Sequence, residues 1–291
     1  MSHRLTRLAI LALLVPAAPV ASLLAACGGA AGAVIEPASA ATGDDPAVAA
    51  ATTTDATGLT AVFPGETMRF EVRMAGVLAG EASFTTGEPG LVDGRHAIAM
   101  SSRVGTAGAF ALVKDIRDDA TSIIDLDTLR PISTIGDVRF GDKVGHSEAR
   151  YEEGRARIAY TPAGQRPREL VYDFRGQTVH DAHSAMAAMR VWPAELGASR
   201  VLWVLGGRRI WRAEITVGGR EVIGTALGNQ PALRFDGVSA RAKPDMTLDT
   251  SKPPRTFSVW VSDDADRVPL RIVAHTELGD VQIELVDYQR A

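Results

Sequence analysis

From about residue 60 onward, apolar and polar side chains alternate with a period of two. Met68, Phe70, Val72 and Met74 interleave with Thr67, Arg69, Glu71 and Arg73. The same rhythm recurs at Trp211-Ala213-Ile215-Val217, at Phe257-Val259-Val261 and at Val281-Ile283-Leu285. It is weaker at Ala156-Ile158-Tyr160 and Leu170-Tyr172-Phe174. A period of two puts one set of side chains on a buried face and the other in water, so each segment predicts a half-buried β-strand. Asp93-Gly94, Glu153-Gly154, Gly218-Gly219 and Gly279-Asp280 fall between apolar runs and predict hairpin tips. Strands at short spacing joined by tight turns predict an antiparallel meander.

One segment has another character. Residues Asp181 to Arg190, DAHSAMAAMR, are rich in helix formers, and Asp181 is a suitable N-cap. The pattern predicts one short helix that ends before Pro193. The expected fold is therefore mainly β: a large antiparallel curved sheet or open barrel, with this helix packed near the concave face. Residues 59–291 are expected to form a single domain.

The N-terminal 58 residues lack this pattern. Arg4 and Arg7 precede an apolar run from Leu8 to Leu24 that Pro16 and Pro19 interrupt. The run is short for a membrane span, and a basic start, apolar middle and small-residue end describe a secretory signal peptide over residues 1–26. Leu24-Ala25-Ala26-Cys27 resembles the lipobox of bacterial lipoproteins. That resemblance implies acylation of Cys27, cleavage before it and anchoring to a membrane through the acyl chains. Gly28, where Asp would imply retention in the inner membrane, implies the outer membrane and a periplasmic outlook. Cys27 is the one cysteine in 291 residues, so lipidation also explains an otherwise unpaired exported thiol. Residues 27–58, rich in Ala, Gly and Thr, are expected to be a disordered tether.

Composition narrows the partners. The formal net charge of −4 becomes −6 once Arg4 and Arg7 are removed, and no Lys/Arg cluster offers a footprint for nucleic acid. Aromatic residues are 5% of the chain, few for the two girdles of an integral barrel.

Five blocks carry a second resemblance: FPGETMRFEV (63–72), LAGEA (78–82), DLDTLRP (125–131), the helix segment 180–190, and VWVSDDADRVPL (259–270). Their order is similar to that of the bacterial domain-of-unknown-function family three-one-zero-eight. The resemblance implies an exported β-rich domain and no established activity. Its curved sheet is broadly similar to periplasmic lipoprotein carriers, which cup acyl chains.

Candidate chemistry is sparse. Ser262-Asp263-Asp264-Ala265-Asp266 lacks the spacing and the bidentate Glu of a calcium loop and is read as a turn. His180 and His183 flank Asp181, but no third metal ligand is evident, so both are expected to be exposed at the start of the helix. His96, His146 and His275 stand alone in the sequence. There is no G-x-S-x-G nucleophile elbow and no phosphate loop. No metal, cofactor or catalytic residue is assigned, and whether the chain is an enzyme stays open, with a non-catalytic role favoured. Met186, Met189, Trp203 and Trp211 could line an apolar cavity on an unfilled concave face. Three functional readings follow: a module binding an apolar envelope ligand, a lipid or lipoprotein-like segment; a scaffold for another envelope protein; and, last, a hydrolase of envelope polymers.

Overall fold

The computed structural model describes residues 61–113, 115–162, 165–276 and 279–290. The signal segment, Cys27 and the tether lie outside them. The described residues form one 16-stranded sheet with two helices. The strands are β1 (Thr67–Met74), β2 (Val77–Thr86), β3 (Gly90–Val92), β4 (Arg95–Thr106), β5 (Ile116–Asp125), β6 (Pro131–Phe140), β7 (Lys143–Glu152) and β8 (Arg155–Thr161). They continue as β9 (Arg168–Asp173), β10 (Val179–His180), β11 (Ser199–Gly206), β12 (Arg209–Thr225), β13 (Gly228–Ala242), β14 (Arg255–Ser262), β15 (Pro269–Ala274) and β16 (Val281–Gln289). The helices are α1 (Gly108–Val113) and α2 (Ala182–Arg190). The expected mainly-β curved sheet is thus the observed fold. The second helix, α1, was not expected: its GAFALV sequence carries neither polar periodicity nor a cap.

Hydrogen-bonded order runs β10-β11-β12-β13-β14-β15-β16-β1-β2-β4-β5-β6-β7-β8-β9, with β3 paired to β4 alone. Every pairing is antiparallel except β10 with β11. Alternation explains the first core. Met68, Phe70 and Val72 of β1 face Phe84, Phe257, Val259, Ile283 and Leu285, with Phe235 and Leu233 of β13 fully buried among them.

The path begins at β10 and ends at β9, yet these strands are consecutive in the chain, joined only by residues 174–178. Such a link spans at most about 17 Å, so the two ends of the sheet must meet. They meet by overlap. Leu202 and Ala213 belong to the first core, whereas Leu205, Ile210 and Ala242 belong to a second cluster with Ala156, Ile158, Tyr160 and Tyr172. Leu202 and Leu205 are an odd number of residues apart on one strand and face opposite sides. On the other end, register connects Met100 to Ser122, Ser122 to Thr134, Thr134 to Ala149 and Ala149 to Ile158, all on one face. The inner face of β7–β9 therefore lies on the outer face of the β11–β13 tip, and the sheet forms a roll whose ends overlap without pairing into a closed barrel. The Tyr172 hydroxyl clips the overlap, donating to the Arg208 carbonyl at 2.6 Å.

One predicted turn is corrected. Gly218-Gly219 is not a hairpin tip; it lies inside the 17-residue β12, at a register shift between Val217 and Gly219. An added Cβ at Gly218 would overlap the Asp236 carboxylate of β13. Glycine is there because two strands approach closely at a bulge.

Candidate functional site

Helix α2 is seated inside the roll. Asp181 caps it: its Oδ1 accepts from the Ser184 amide (2.8 Å), and the Ser184 hydroxyl accepts from the Asp181 amide (3.0 Å). Ala185, Ala187 and Met189 join the first core, and of its nine residues only Met186 is not buried. Small side chains let the helix approach the inner face of the sheet closely.

Its first turn carries a buried polar network. His183 Nδ1 pairs with Ser122 Oγ at 2.6 Å, and Nε2 pairs with Ser102 Oγ at 2.9 Å. Thr134 stands 3.4 Å from Ser122 and donates to Asp181 Oδ2 at 2.6 Å. His180 Nδ1 meets Ser184 Oγ at 3.2 Å. The expected exposed histidines are therefore corrected: His180 and His183 are 7% and 2% exposed. Burial draws the His180 imidazole down to about 4 and lowers that of His183, so both are neutral at pH 7. Burial, aided by the Asp181 carboxylate, holds the Tyr151 phenol well above its ordinary value.

Serine, histidine and aspartate thus meet, but not as a hydrolase triad. Both imidazole nitrogens are taken by serines, which leaves none for an orienting Asp181. Ser122 is 0% exposed. The network positions the helix.

The last turn of α2 is held by a second network. Arg190 Nη1 and Nη2 donate to Glu66 Oε2 and Oε1 at 2.7 and 2.8 Å, with both side chains all but inaccessible. Arg190 Nε donates to the Asp266 carbonyl (2.9 Å), and the Tyr288 hydroxyl donates to Glu66 Oε1 (3.0 Å). The guanidinium also lies 5.0 Å from the Phe63 ring centre. Burial beside Glu66 pushes the Tyr288 phenol up to about 12.

Between the two sheet ends lies a small pocket with room for about one water-sized group behind its open mouth. Asp118, Ala120, Thr134, Gly136, Ser147 and Tyr151 line it from β5–β7, and Leu205 and Gly207 wall it from the β11–β12 turn. Asp118 is 4% exposed, and neither carboxylate oxygen has a hydrogen-bond partner. Burial, then the charge of Asp119, pushes its carboxyl well above the usual range.

The four residues expected to line an apolar cavity do not converge. Met189 is core, Trp203 packs on the second cluster, and Trp211 is half-buried with Arg255 5.9 Å from its ring. None of them, nor Met186, lines the pocket. Among the described residues no cluster of three or more His, Asp or Glu side chains could hold a metal. His146 and His275 are not alone: they meet Asp137 at 2.7 Å and Asp280 at 2.8 Å. The acidic segment 262–266 is a turn, in which Asp264 Oδ1 accepts from the Asp266 and Arg267 amides.

These features define a β-barrel-like roll plugged by a buried helix. The chain belongs to a family described as proteins of unknown function, DUF3108, whose family model matches residues 69–286. A solved β-barrel-like protein of another domain of unknown function, DUF1849, from Brucella abortus aligns at 8% identity and a TM-score of 0.52. The alignment covers 79% of this chain and 98% of that one, and shows the shared fold alone. A candidate exported protein with a YmcC-like fold from Bacteroides fragilis aligns at 7% identity, over 78% and 98% of the two chains, with a TM-score of 0.34. A candidate lipoprotein from Parabacteroides distasonis aligns at 9% identity, over 78% and 97%, with a TM-score of 0.31. No curated protein matches the chain.

Proposed function

We propose that the chain is a lipid-anchored lipoprotein of the cell envelope, held at the outer membrane through Cys27 and facing the periplasm, whose β domain is a non-catalytic binding module. The anchor reading is supported by the Leu24-Ala25-Ala26-Cys27 segment. Two or more acyl chains hold a protein firmly to a bilayer, whereas one binds only marginally.

An apolar ligand, a lipid or lipoprotein-like segment, was the first expectation for the concave face. Helix α2 packs against that face, and none of Met186, Met189, Trp203 and Trp211 lines the described pocket. The binding reading therefore attaches to the pocket between β5–β7 and the β11–β12 turn. One observation carries it: a buried carboxyl at Asp118 with no partner for either oxygen. Unsatisfied buried polar groups are rare, and each calls for a partner from outside the protein, a functional role or local strain; perturbed carboxyls in clefts mark candidate sites.

A scaffold for another envelope protein is the second reading, and α1 favours it. Leu112 and Val113 are 90% and 85% exposed, beside Val77 at 55%, an apolar projection suited to a protein partner.

Flotation of membranes tests the address: Cys27→Ser should leave the processed chain soluble, and a variant that still floats overturns the anchor. Native mass spectrometry of the purified full chain tests the site. A small adduct displaced by Asp118→Asn supports the pocket, while a co-purifying acyl lipid insensitive to that change returns the function to the concave face.

A further inference from the structure

The inner face of the sheet is uneven. On β16, β1 and β2 it carries Leu285, Ile283, Phe70, Met68 and Phe84. On β5–β7 the same face carries Asp118, Ala120, Thr134, Gly136, Ser147 and Ala149. Small and hydroxylated side chains leave the pocket open where the other half is filled. Gly136 is part of that opening: a Cβ there would press on Ser147 Oγ at 3.3 Å.

Asp118 is the one carboxylate among the lining residues, with no basic side chain among them. Asp119, next in the chain, faces the other side of β5 and pairs with Arg103, and no cation acts on Asp118 strongly enough to offset its burial. Its two oxygens accept nothing from the protein. The Tyr151 ring adds an aromatic wall, and aromatic faces attract cations. A hydroxyl ligand would satisfy one oxygen; a protonated amine brings several donors and the opposite charge together.

We infer that this pocket takes the ammonium head of a small amine, with Asp118 as its counter-ion and Ser147 and Thr134 as flanking hydroxyls. The inference rests on reading the pocket as a ligand site and names the class of ligand. Burial raises the empty-site carboxyl and so favours its neutral form, whereas an entering ammonium stabilises the charged form. Free amines and amine-bearing lipid headgroups share this chemistry.

The test is amide NMR of the full chain titrated with ethanolammonium chloride, with neutral N-acetylethanolamine as the matched control. Saturable shifts at Gly136, Ser147 and Gly207 are expected for the cation alone. Asp118→Asn, which keeps side-chain shape, should weaken binding about thirty-fold or more, as losing one partner of a buried charge pair does. Gly136→Ala should block the site while leaving the carboxyl in place. Vesicles of phosphatidylethanolamine set against phosphatidylglycerol separate the sources: a response to the former exceeding that to the free amine makes the ligand a headgroup. Equal binding of the neutral amide overturns the ammonium assignment and spares the pocket. No saturable shift with any probe, or undiminished binding by Asp118→Asn, overturns the site itself.

Discussion

Replacing Glu66 by glutamine should be the most damaging single-atom change in the domain. Glu66 is 0% exposed and receives both terminal nitrogens of Arg190, at 2.7 and 2.8 Å, and the Tyr288 hydroxyl at 3.0 Å. Glutamine keeps the shape but removes the charge and turns one acceptor into a donor that faces a guanidinium. The Arg190 charge then stays buried without a counter-ion, and breaking a buried pair from one side costs about 3–5 kcal/mol. A domain of this size loses about 2–4 °C of melting temperature per kcal/mol, so the expected fall is roughly 6–20 °C. Thermal melts and urea unfolding followed by tryptophan fluorescence measure it. Arg190→Lys should fall between the two, because an ammonium cannot bridge both oxygens while also reaching the Asp266 carbonyl. The double replacement Glu66→Met with Arg190→Met should recover most of the loss, since a buried ion pair is worth little more than well-packed apolar groups. A fall below about 2 °C for Glu66→Gln would refute the assignment, because it would mean that water reaches Arg190.

Two further predictions concern the core. His180 has an imidazole at about 4 in the fold against 6.5 as its ordinary value. Between those values the unfolded chain binds the extra proton, so stability is complete above about pH 6.5 and falls as the pH drops toward 4, by roughly 3 kcal/mol. Urea midpoints across that window should show the slope, and His180→Asn should flatten it; an unchanged slope in the variant assigns the acid sensitivity elsewhere. Gly237→Ala places a Cβ into the Phe257 ring on the neighbouring strand, and overpacking of this kind costs about 1–3 kcal/mol. Equilibrium unfolding of the variant beside Phe257→Leu measures it: the pair should compensate, and additive losses would count against the contact.

How far the sequence could be read depended on whether a signal was local. Alternation placed β1, β12, β14 and β16, because each has one face in the core and one in water. The cap at Asp181 was equally local. Gly218-Gly219 misled because a bulge and a hairpin use glycine for different reasons, close strand approach in one and turn geometry in the other. The histidines misled because a capped amphipathic helix is ordinarily a surface element. The opposing signal was present: between Asp181 and Arg190 the helix has no titratable side chain except His183, which is the composition of a buried helix. Asp118 also had a readable parity, since it shares a face with Ala120, Ser122 and Ile124, yet Asp118-Asp119 looks like a solvated turn. Nothing local linked Glu66 to Arg190, which lie 124 residues apart.

The blocks behind the family resemblance meet in space, and this bears on where function lies. Glu66 comes from the first block, Arg190 from the helix block and Asp266 from the last; they join in one buried ionic network. The DLDTLRP block opens with a turn in which Asp125 Oδ1 accepts from the Asp127 and Thr128 amides. Each of these groups has its partners inside the protein, which is what a residue retained for folding requires. Asp118 is the opposite case. It lies outside every block, neither oxygen is satisfied, and a buried carboxyl in that condition lowers stability by about 1–3 kcal/mol. Selection for folding alone would favour an apolar or amide side chain in its place. The recognisable blocks therefore account for the rolled sheet and its plug, whereas Asp118 is an energetic conflict inside that fold, and the proposed ligand site rests on that conflict.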